Sequence, residues 1–340
     1  MIPFAQPWIS QEDKEAVMRV LSGPILAHGP EAELFEQEFT EFLGGGHCVT
    51  TSSCAAALHL AYTVYGIGPG DEVIVPAMTH CSTANTVEWT GADCVFVDCD
   101  PQTGNVTADR IEAAITPKTK AIVVVHFVGI PCDMPRISLL AREHGLVLIE
   151  DCALAIGARL DNTHVGLFGD AGCFSFYPTK HITTGEGGML VTRDPEIAER
   201  VKRMRAHGVV RGMNGMYDVP AIGLNYRMGE MQAALGRSQL QRIETILYRR
   251  RENFETLNAN LWGPVLDGPG NSHYCLSVTG SVVPDDMETS VYYPHPVPRL
   301  AYYQHKYGPF DPSLYPNATA IADYSIALPV GPHVPLAVIA

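Results

Sequence analysis

The sequence predicts an α/β fold: a three-layer, mostly parallel sheet forming a large domain, with a small C-terminal α+β domain. Three observations predict it. Between about residues 50 and 195, short β-branched runs alternate with helical stretches. Those runs are apolar throughout, as strands covered on both faces must be. At 340 residues the chain is also long enough for one large domain and an appendage.

The elements follow in order. Residues 1–30 form an arm, in which Ser10 followed by Asp13 caps a helix whose apolar stripe is Ala16, Val17, Val20 and Leu21. The large domain spans 31–245, with strands expected at 72–77, 94–98, 121–127, 146–150, 173–177 and 189–192. Helices are expected at 55–65, 108–115 and 134–144, and a long amphipathic one at 229–247 carries Met231, Ala234, Leu235, Leu240, Ile243 and Leu247. Residues 246–340 form the small domain. Beyond Leu261 its composition turns to Pro, Gly, Tyr and His.

Composition excludes several functions. Lys plus Arg number 23 against 37 Asp plus Glu, a net charge of −14. So acidic a chain is poorly suited to wrapping nucleic acid or to an anionic membrane surface. With 46% hydrophobic and 18% charged residues it is not a disordered chain. The nine cysteines are scattered and form no Cys-x-x-Cys pair, so neither a zinc site nor a redox dithiol is expected. They point to a reducing cytoplasm. The N-terminus lacks the pattern of a signal peptide. The longest apolar run, 121–131, holds His126 and falls far short of the ~20 residues that span a bilayer.

The richest chemistry lies in CFSFYPTKHITTGEGG (173–188). A strand leads to Lys180 and then to a Gly-rich loop. A lysine held partly out of water at a strand end is a candidate nucleophile, able to form a Schiff base with an aldehyde cofactor; the plainer reading is a lysine reaching from a strand end to solvent. Asp151 ends the preceding strand, and the carboxyl ends of parallel strands share one crevice where ligands bind. A buried carboxylate beside a protonated pyridine nitrogen is what pyridoxal phosphate requires, although Glu150 would serve as well. Ser52 or Ser53 caps a helix beginning near Ala55, whose first amides form a phosphate cup. His80, just after the strand at 72–77, is placed to stack on a flat ring or to bond local backbone. Other patterns fail. GIGPGD (66–71) follows a helix and reads as a turn, and no P-loop, GxSxG or HExxH is present. Arg249–Arg251, followed by Glu252, reads as a solvated helix face.

Five segments in order, SSCAAALHLAY, GPGDEVIVPAMTH, IEDCALAIGA, SFYPTKHITTGEGG and GLNYRMGEMQAALGRSQL, make the chain similar to the DegT-type (nucleotide-)sugar aminotransferases, which are fold-type-I pyridoxal phosphate enzymes. The resemblance runs from about Gly29 to Arg242. It implies that Lys180 is the Schiff-base lysine and proton shuttle, and that Asp151 pairs with the pyridine nitrogen. His80 holds the ring-stacking position. Ser175, Ser53, Cys54 and Ala55 take the phosphate, and Asn225 reaches the phosphate of a neighbouring subunit. The implied assembly is a homodimer with shared sites. The implied reaction is ping-pong transfer of an amino group, from glutamate in most relatives, to a keto-sugar that is nucleotide-linked.

Three departures accompany the resemblance. Leu154 stands where relatives commonly carry a Gln facing the cofactor's phenolic oxygen. Ala55 replaces the usual Thr of the phosphate cup. The C-terminal domain looks abridged around TGSVVPDDME (279–288) and at the terminal ALPVGPHVPLAVIA. Two alternatives therefore stand beside the aminotransferase: a sugar 3-dehydratase of the same family, which carries His in place of the lysine, and a catalytically inactive or regulatory relative. Substrate contacts are expected from 209–220 and 289–303, with Arg227, His295 and Arg299 as candidates; ordinary surface polarity is the competing reading.

Overall fold

Two helices open the chain in the computed structural model, which describes residues 1–212, 215–261, 263–280 and 286–335. Residues 213–214 of the expected specificity loop, 281–285 of the shortened connection and the terminal 336–340 lie outside the described residues. Helices α1 (Gln11–Leu21) and α2 (Pro30–Leu43) lead to strand β1 (His47–Thr51) and helix α3 (Cys54–Val64). Then come β2 (Glu72–Pro76), α4 (Cys81–Glu88), β3 (Asp93–Val97), α5 (Ala108–Ala113), β4 (Thr119–Val125), α6 (Met134–Glu143) and β5 (Val147–Asp151). A small hairpin, β6 (Arg159–Leu160) and β7 (Thr163–His164), precedes β8 (Ala171–Ser175), β9 (Gly188–Thr192) and α7 (Pro195–Met204). A second small hairpin, β10 (Val210–Arg211) and β11 (Tyr217–Asp218), is followed by α8 (Glu230–Leu240) and α9 (Ile243–Asn260). The chain closes with β12 (Leu276–Thr279), α10 (Ala301–Tyr307), α11 (Pro316–Tyr324) and β13 (Ser325–Leu328).

The central sheet has seven strands in the order β1-β9-β8-β5-β4-β2-β3. Strands β3, β2, β4, β5 and β8 run parallel, whereas β9 is antiparallel to both β8 and β1. Side-chain alternation builds the three layers. Val73, Val75, Val123, Ile149 and Cys173 face α3, α4 and α7. Ile74, Ile122, Val124 and Leu148 face α5 and α6, while Phe174, Met189 and Val191 join α2 and α8.

Three expectations are corrected. The strand expected at 173–177 ends at Ser175. β1, a short HCVTT edge strand without a long apolar run, went unread. The helix expected at 229–247 is two helices, broken where Arg242 turns its guanidinium toward Asp13 (2.6 Å). The expected boundary at 245 falls inside α9. Ile243 and Ile246 pack in the large core and Phe254 and Leu257 in the C-terminal one, so a continuous helix rather than a linker joins the two.

The arm is bolted down by one carboxylate. Ser10 caps α1 with a full capping box through Asp13. The same buried Asp13 accepts from Ser238 Oγ (2.6 Å), Gln239 Nε2 (3.0 Å) and Arg242 Nη2 (2.6 Å). Asp13→Ala strands these donors, and a loss of about 3 kcal/mol is expected. Denaturant titration checks it; a loss below about 1 kcal/mol, the scale of a surface pair, would show that the arm is held by packing alone.

Candidate active site

The parallel strands and β1 end on one edge of the sheet, and a cleft of about 390 Å³ opens there. Each wall is the residue at or just beyond a strand end. Ser53, Cys54 and Ala55 follow β1, Thr79, His80 and Ser82 follow β2, and Val125 ends β4. Asp151 ends β5 and Ser175 ends β8, with Lys180 and Glu186 on the loop between β8 and β9. Tyr293 closes the cleft from the C-terminal segment.

Lys180 sits in a turn, its N–H donating to Tyr177 O (2.9 Å). Its Nζ lies 5.0 Å from the centre of the Tyr274 ring, a cation–π seat. From behind, Arg250 donates to the carbonyls of Lys180 (3.4 Å) and Tyr274 (2.9 Å). Arg250 is therefore no part of a solvated face. It is buried, and burial pulls its pKa down to about 10. His181 turns away from the cleft. It is buried, its Nε2 bonds Ser272 O (3.0 Å), and burial, then the Arg250 charge, push its pKa well below the ordinary histidine value. The lysine motif has not slipped by one residue, which removes the premise of the dehydratase alternative.

Alternation along β5 separates its two terminal carboxylates. Glu150 points to the far face, where Oε1 accepts from Phe168 N (2.9 Å) and Gly169 N (2.7 Å) and Oε2 from Gly166 N (2.7 Å) and His126 Nε2 (3.0 Å). Asp151 faces the cleft. It is 3% exposed, takes Thr83 Oγ1 (2.8 Å) on Oδ2 and Ala153 N (3.0 Å) on Oδ1, and has no ion-pair partner among the described residues. His126, Glu150 and Cys152 lie close enough together to suggest a metal site. Every polar atom of the pair is spent, however: His126 Nδ1 accepts from Cys132 N (3.1 Å), so Nε2 carries the proton and donates to Glu150.

Ser53, not Ser52, caps α3, its Oγ accepting from Ala56 N (3.1 Å). The amides of Cys54 and Ala55 have no acceptor among the described residues, leaving them for an anion. Gly188 presses on this turn: a Cβ there would lie 2.4 Å from Ser53 C and 2.6 Å from Cys54 N. Only glycine lets β9 pass. Cys54 Sγ is 4.0 Å from Asp151 Oδ1, and burial, then the Asp151 charge, hold its thiol well above its ordinary pKa.

His80 bonds local backbone and also faces the cleft. It caps α4, Nδ1 accepting from Ser82 N (3.2 Å), and its ring lines the cleft 5.5 Å from Tyr293. Partial desolvation, then the nearby Lys180 charge, lower its pKa.

The donor set suits a phosphorylated aldehyde with a basic ring nitrogen: free helix-start amides and the Ser175 hydroxyl for phosphate, an amine, and a lone buried carboxylate. Leu154 forms an apolar wall of the cleft. Several expected contacts are not brought together. The half-buried Arg227 and the exposed His295 lie outside this cleft; Asn225, expected to reach the phosphate of a neighbouring subunit and not this one, is exposed. Arg299 is corrected outright: its guanidinium is committed to Asp323 (2.6 Å) and lies over Phe310. Positive charge is not concentrated here either, since the lining holds Lys180 against Asp151 and Glu186. A larger open groove of about 550 Å³ between α2, β1 and α7 carries Glu36, Lys202 and Arg205, but its cations are already paired with Glu36 and Glu199.

Sequence reasoning missed Thr83, Tyr274 and Arg250. Thr83 had a signal, a Thr-rich helix directly after a strand. The other two come from distant segments with none, whereas Tyr293 lies in the 289–303 segment expected to contact substrate.

Residues 7–267 match the DegT/DnrJ/EryC1/StrS aminotransferase family. The chain is 38% identical to the spore coat polysaccharide biosynthesis protein SpsC of Bacillus subtilis, over 97% of this chain and 92% of that protein. It is 46% identical to the GDP-perosamine synthase of Caulobacter vibrioides, over 73% and 67%. In structure it superposes on a sugar aminotransferase of Streptococcus pneumoniae, Spr1654, solved in its PMP form, with TM-score 0.93, 26% identity, and coverage of 100% and 96%. Among the described residues no helix is long and apolar enough to cross a membrane.

Proposed function

Because the chain belongs to the DegT/DnrJ/EryC1/StrS aminotransferase family, we propose that it moves the amino group of glutamate to a nucleotide-linked keto-sugar in two successive half-reactions. Pyridoxal phosphate is the cofactor; when bound it supplies an aldehyde that condenses with amines and a ring that withdraws electrons. The observation that carries the reading is the convergence of Lys180, Asp151 and the start of α3 on one cleft.

In this reading the Lys180 amine would anchor the cofactor and, as a free base, would take the proton from the donor's α-carbon. Its seat on Tyr274 keeps the freed amine within reach. Asp151 would accept from the ring nitrogen. The amides of Cys54 and Ala55, with Ser53 and Ser175, hold the phosphate. His80 would lie against the ring, and Leu154 and Tyr293 would exclude water from it. The name of the Caulobacter relative, a GDP-perosamine synthase, supports a sugar joined to a nucleoside diphosphate.

A homodimer with shared clefts belongs to the same reading. One lysine against two carboxylates leaves the phosphate and the substrate anion short of positive partners. Asn225 lies on a segment that exposes Met216 (72%), Ile222 (87%) and Leu224 (40%), apolar surface suited to a second copy.

The test is borohydride fixation of the cofactor-loaded protein, followed by peptide mass mapping and assay with glutamate and a panel of GDP-, UDP- and dTDP-linked keto-sugars. The label is expected on Lys180, with glutamate-dependent amination of one nucleotide class. A label elsewhere, or amination of free keto-sugars only, overturns the reading.

A further inference from the structure

We propose that Thr79 and Thr83 form a one-way hydrogen-bond relay that orients the Asp151 carboxylate, making Thr83 a positioning residue for the cofactor. The inference rests on the reading that Asp151 meets the ring nitrogen, and its test separates the two.

The geometry sets the direction of the relay. Thr83 Oγ1 lies 2.8 Å from Asp151 Oδ2 and 2.9 Å from Thr79 Oγ1. An ionised carboxylate only accepts, so the single Thr83 hydroxyl proton goes to Asp151. Thr83 then has only lone pairs to offer Thr79, so Thr79 must donate. Both threonines are buried, at 2% and 0% exposure, out of reach of competing water. Bonds aligned in this sense reinforce one another. With Oδ1 held by Ala153 N, both carboxylate oxygens are clamped and their remaining lone pairs are left for the cleft.

The groups packed directly on Asp151 are neutral. The groups crowding Asp151 from neighbouring elements are the thiols of Cys54 (α3) and Cys173 (β8) and the phenols of Tyr62 (α3) and Tyr293. Burial, and for each a further contribution from the Asp151 charge, keep all four protonated. The other titratable groups lining the cleft, among the described residues, are Lys180, His80, Tyr177 and the Glu186 carboxylate on the loop between β8 and β9. The relay also explains α4, whose CSTANTVE sequence is poor in strong helix formers. Its first turn places Thr83 beneath Asp151.

The experiment compares Thr83→Val, Thr83→Ser and Asp151→Asn, and the double variant T83V/D151N. Pyridoxal phosphate affinity is measured by titrating the dialysed protein, and the pH midpoint of the visible absorption is read on the loaded enzyme. Valine keeps the volume of threonine and removes only the hydroxyl. Thr83→Val is expected to weaken cofactor binding about tenfold, about 1.4 kcal/mol. It should move the absorption midpoint in the direction that Asp151→Asn moves it, and by less. Thr83→Ser should restore both, and T83V should add nothing in the D151N background. Unchanged affinity and midpoint in T83V overturn the relay. So does an effect that serine does not rescue, or one that persists undiminished without the Asp151 carboxylate, because either marks packing alone. If Thr83→Val does not fold, Thr79→Val, one bond further back, should give a smaller shift of the same sign, and no shift overturns the relay. If Asp151→Asn itself leaves affinity and midpoint untouched, the ring-nitrogen reading fails instead.

Discussion

Lys180→Ala is expected to abolish turnover while leaving the fold intact. A residue that serves as both covalent anchor and proton carrier acts in every step, so kcat is expected to fall by about four orders of magnitude or more, about 5.4 kcal/mol of barrier. Stability should barely move. Lys180 is half-buried, makes no ion pair among the described residues, and its side chain contributes only the cation–π contact with Tyr274. Lys180→Arg should not rescue, because a guanidinium keeps its charge but cannot act as a free amine nucleophile. Small exogenous amines should restore part of the rate to Lys180→Ala by supplying the missing base. Single-turnover measurement with glutamate alone checks the result, alongside a thermal melt. A variant retaining more than about 1% of the wild-type rate, on the scale that general acid–base groups contribute, would falsify the assignment.

Glu150→Gln, one residue from the cleft, is expected to do the reverse and destabilise the fold rather than spoil its chemistry. Glu150 is fully buried and accepts four hydrogen bonds, three from the backbone N–H groups of Gly166, Phe168 and Gly169. An amide of nearly the same shape keeps one accepting oxygen but turns its NH2 on two donors. A loss of about 3–5 kcal/mol is expected, with a fall in Tm on the order of 5–10 °C. Asp151→Asn supplies the contrast, with cofactor binding impaired and little change in Tm. If both variants lose stability equally, or Glu150→Gln melts like wild type, the division of the two carboxylates between loop anchoring and cofactor binding is wrong.

Much of this was legible in the chain. The apolar strands β2, β4 and β5 lie within two residues of their expected ends, because burial on both faces demands unbroken V/I/L runs. Lys180, Asp151, Ser53 and Ser175 share the cleft because a parallel sheet sends its strand ends to one edge. The α1 cap was readable from Ser10 and Asp13 alone, since a capping box is complete within four residues. What stayed illegible is non-local. Arg250 sits in a basic trio indistinguishable from a solvated face, yet folds beneath Lys180 seventy positions away. Arg299 looked like a substrate cation, but α11 supplies Asp323 to neutralise it.

The sequence by itself determined the α/β alternation, the order of the motifs and the chemistry they carry, because these depend on periodicities and turns that close within a few residues. Alternation also dictated that Glu150 and Asp151 face opposite sides of β5. Which of them meets the cofactor cleft was decided only in the folded chain. There the 166–169 turn brings three amides to one face of the strand and α4 brings the Thr83 hydroxyl to the other. A strand's period says which residues part company, but the segments packed on each face decide what each of them is for.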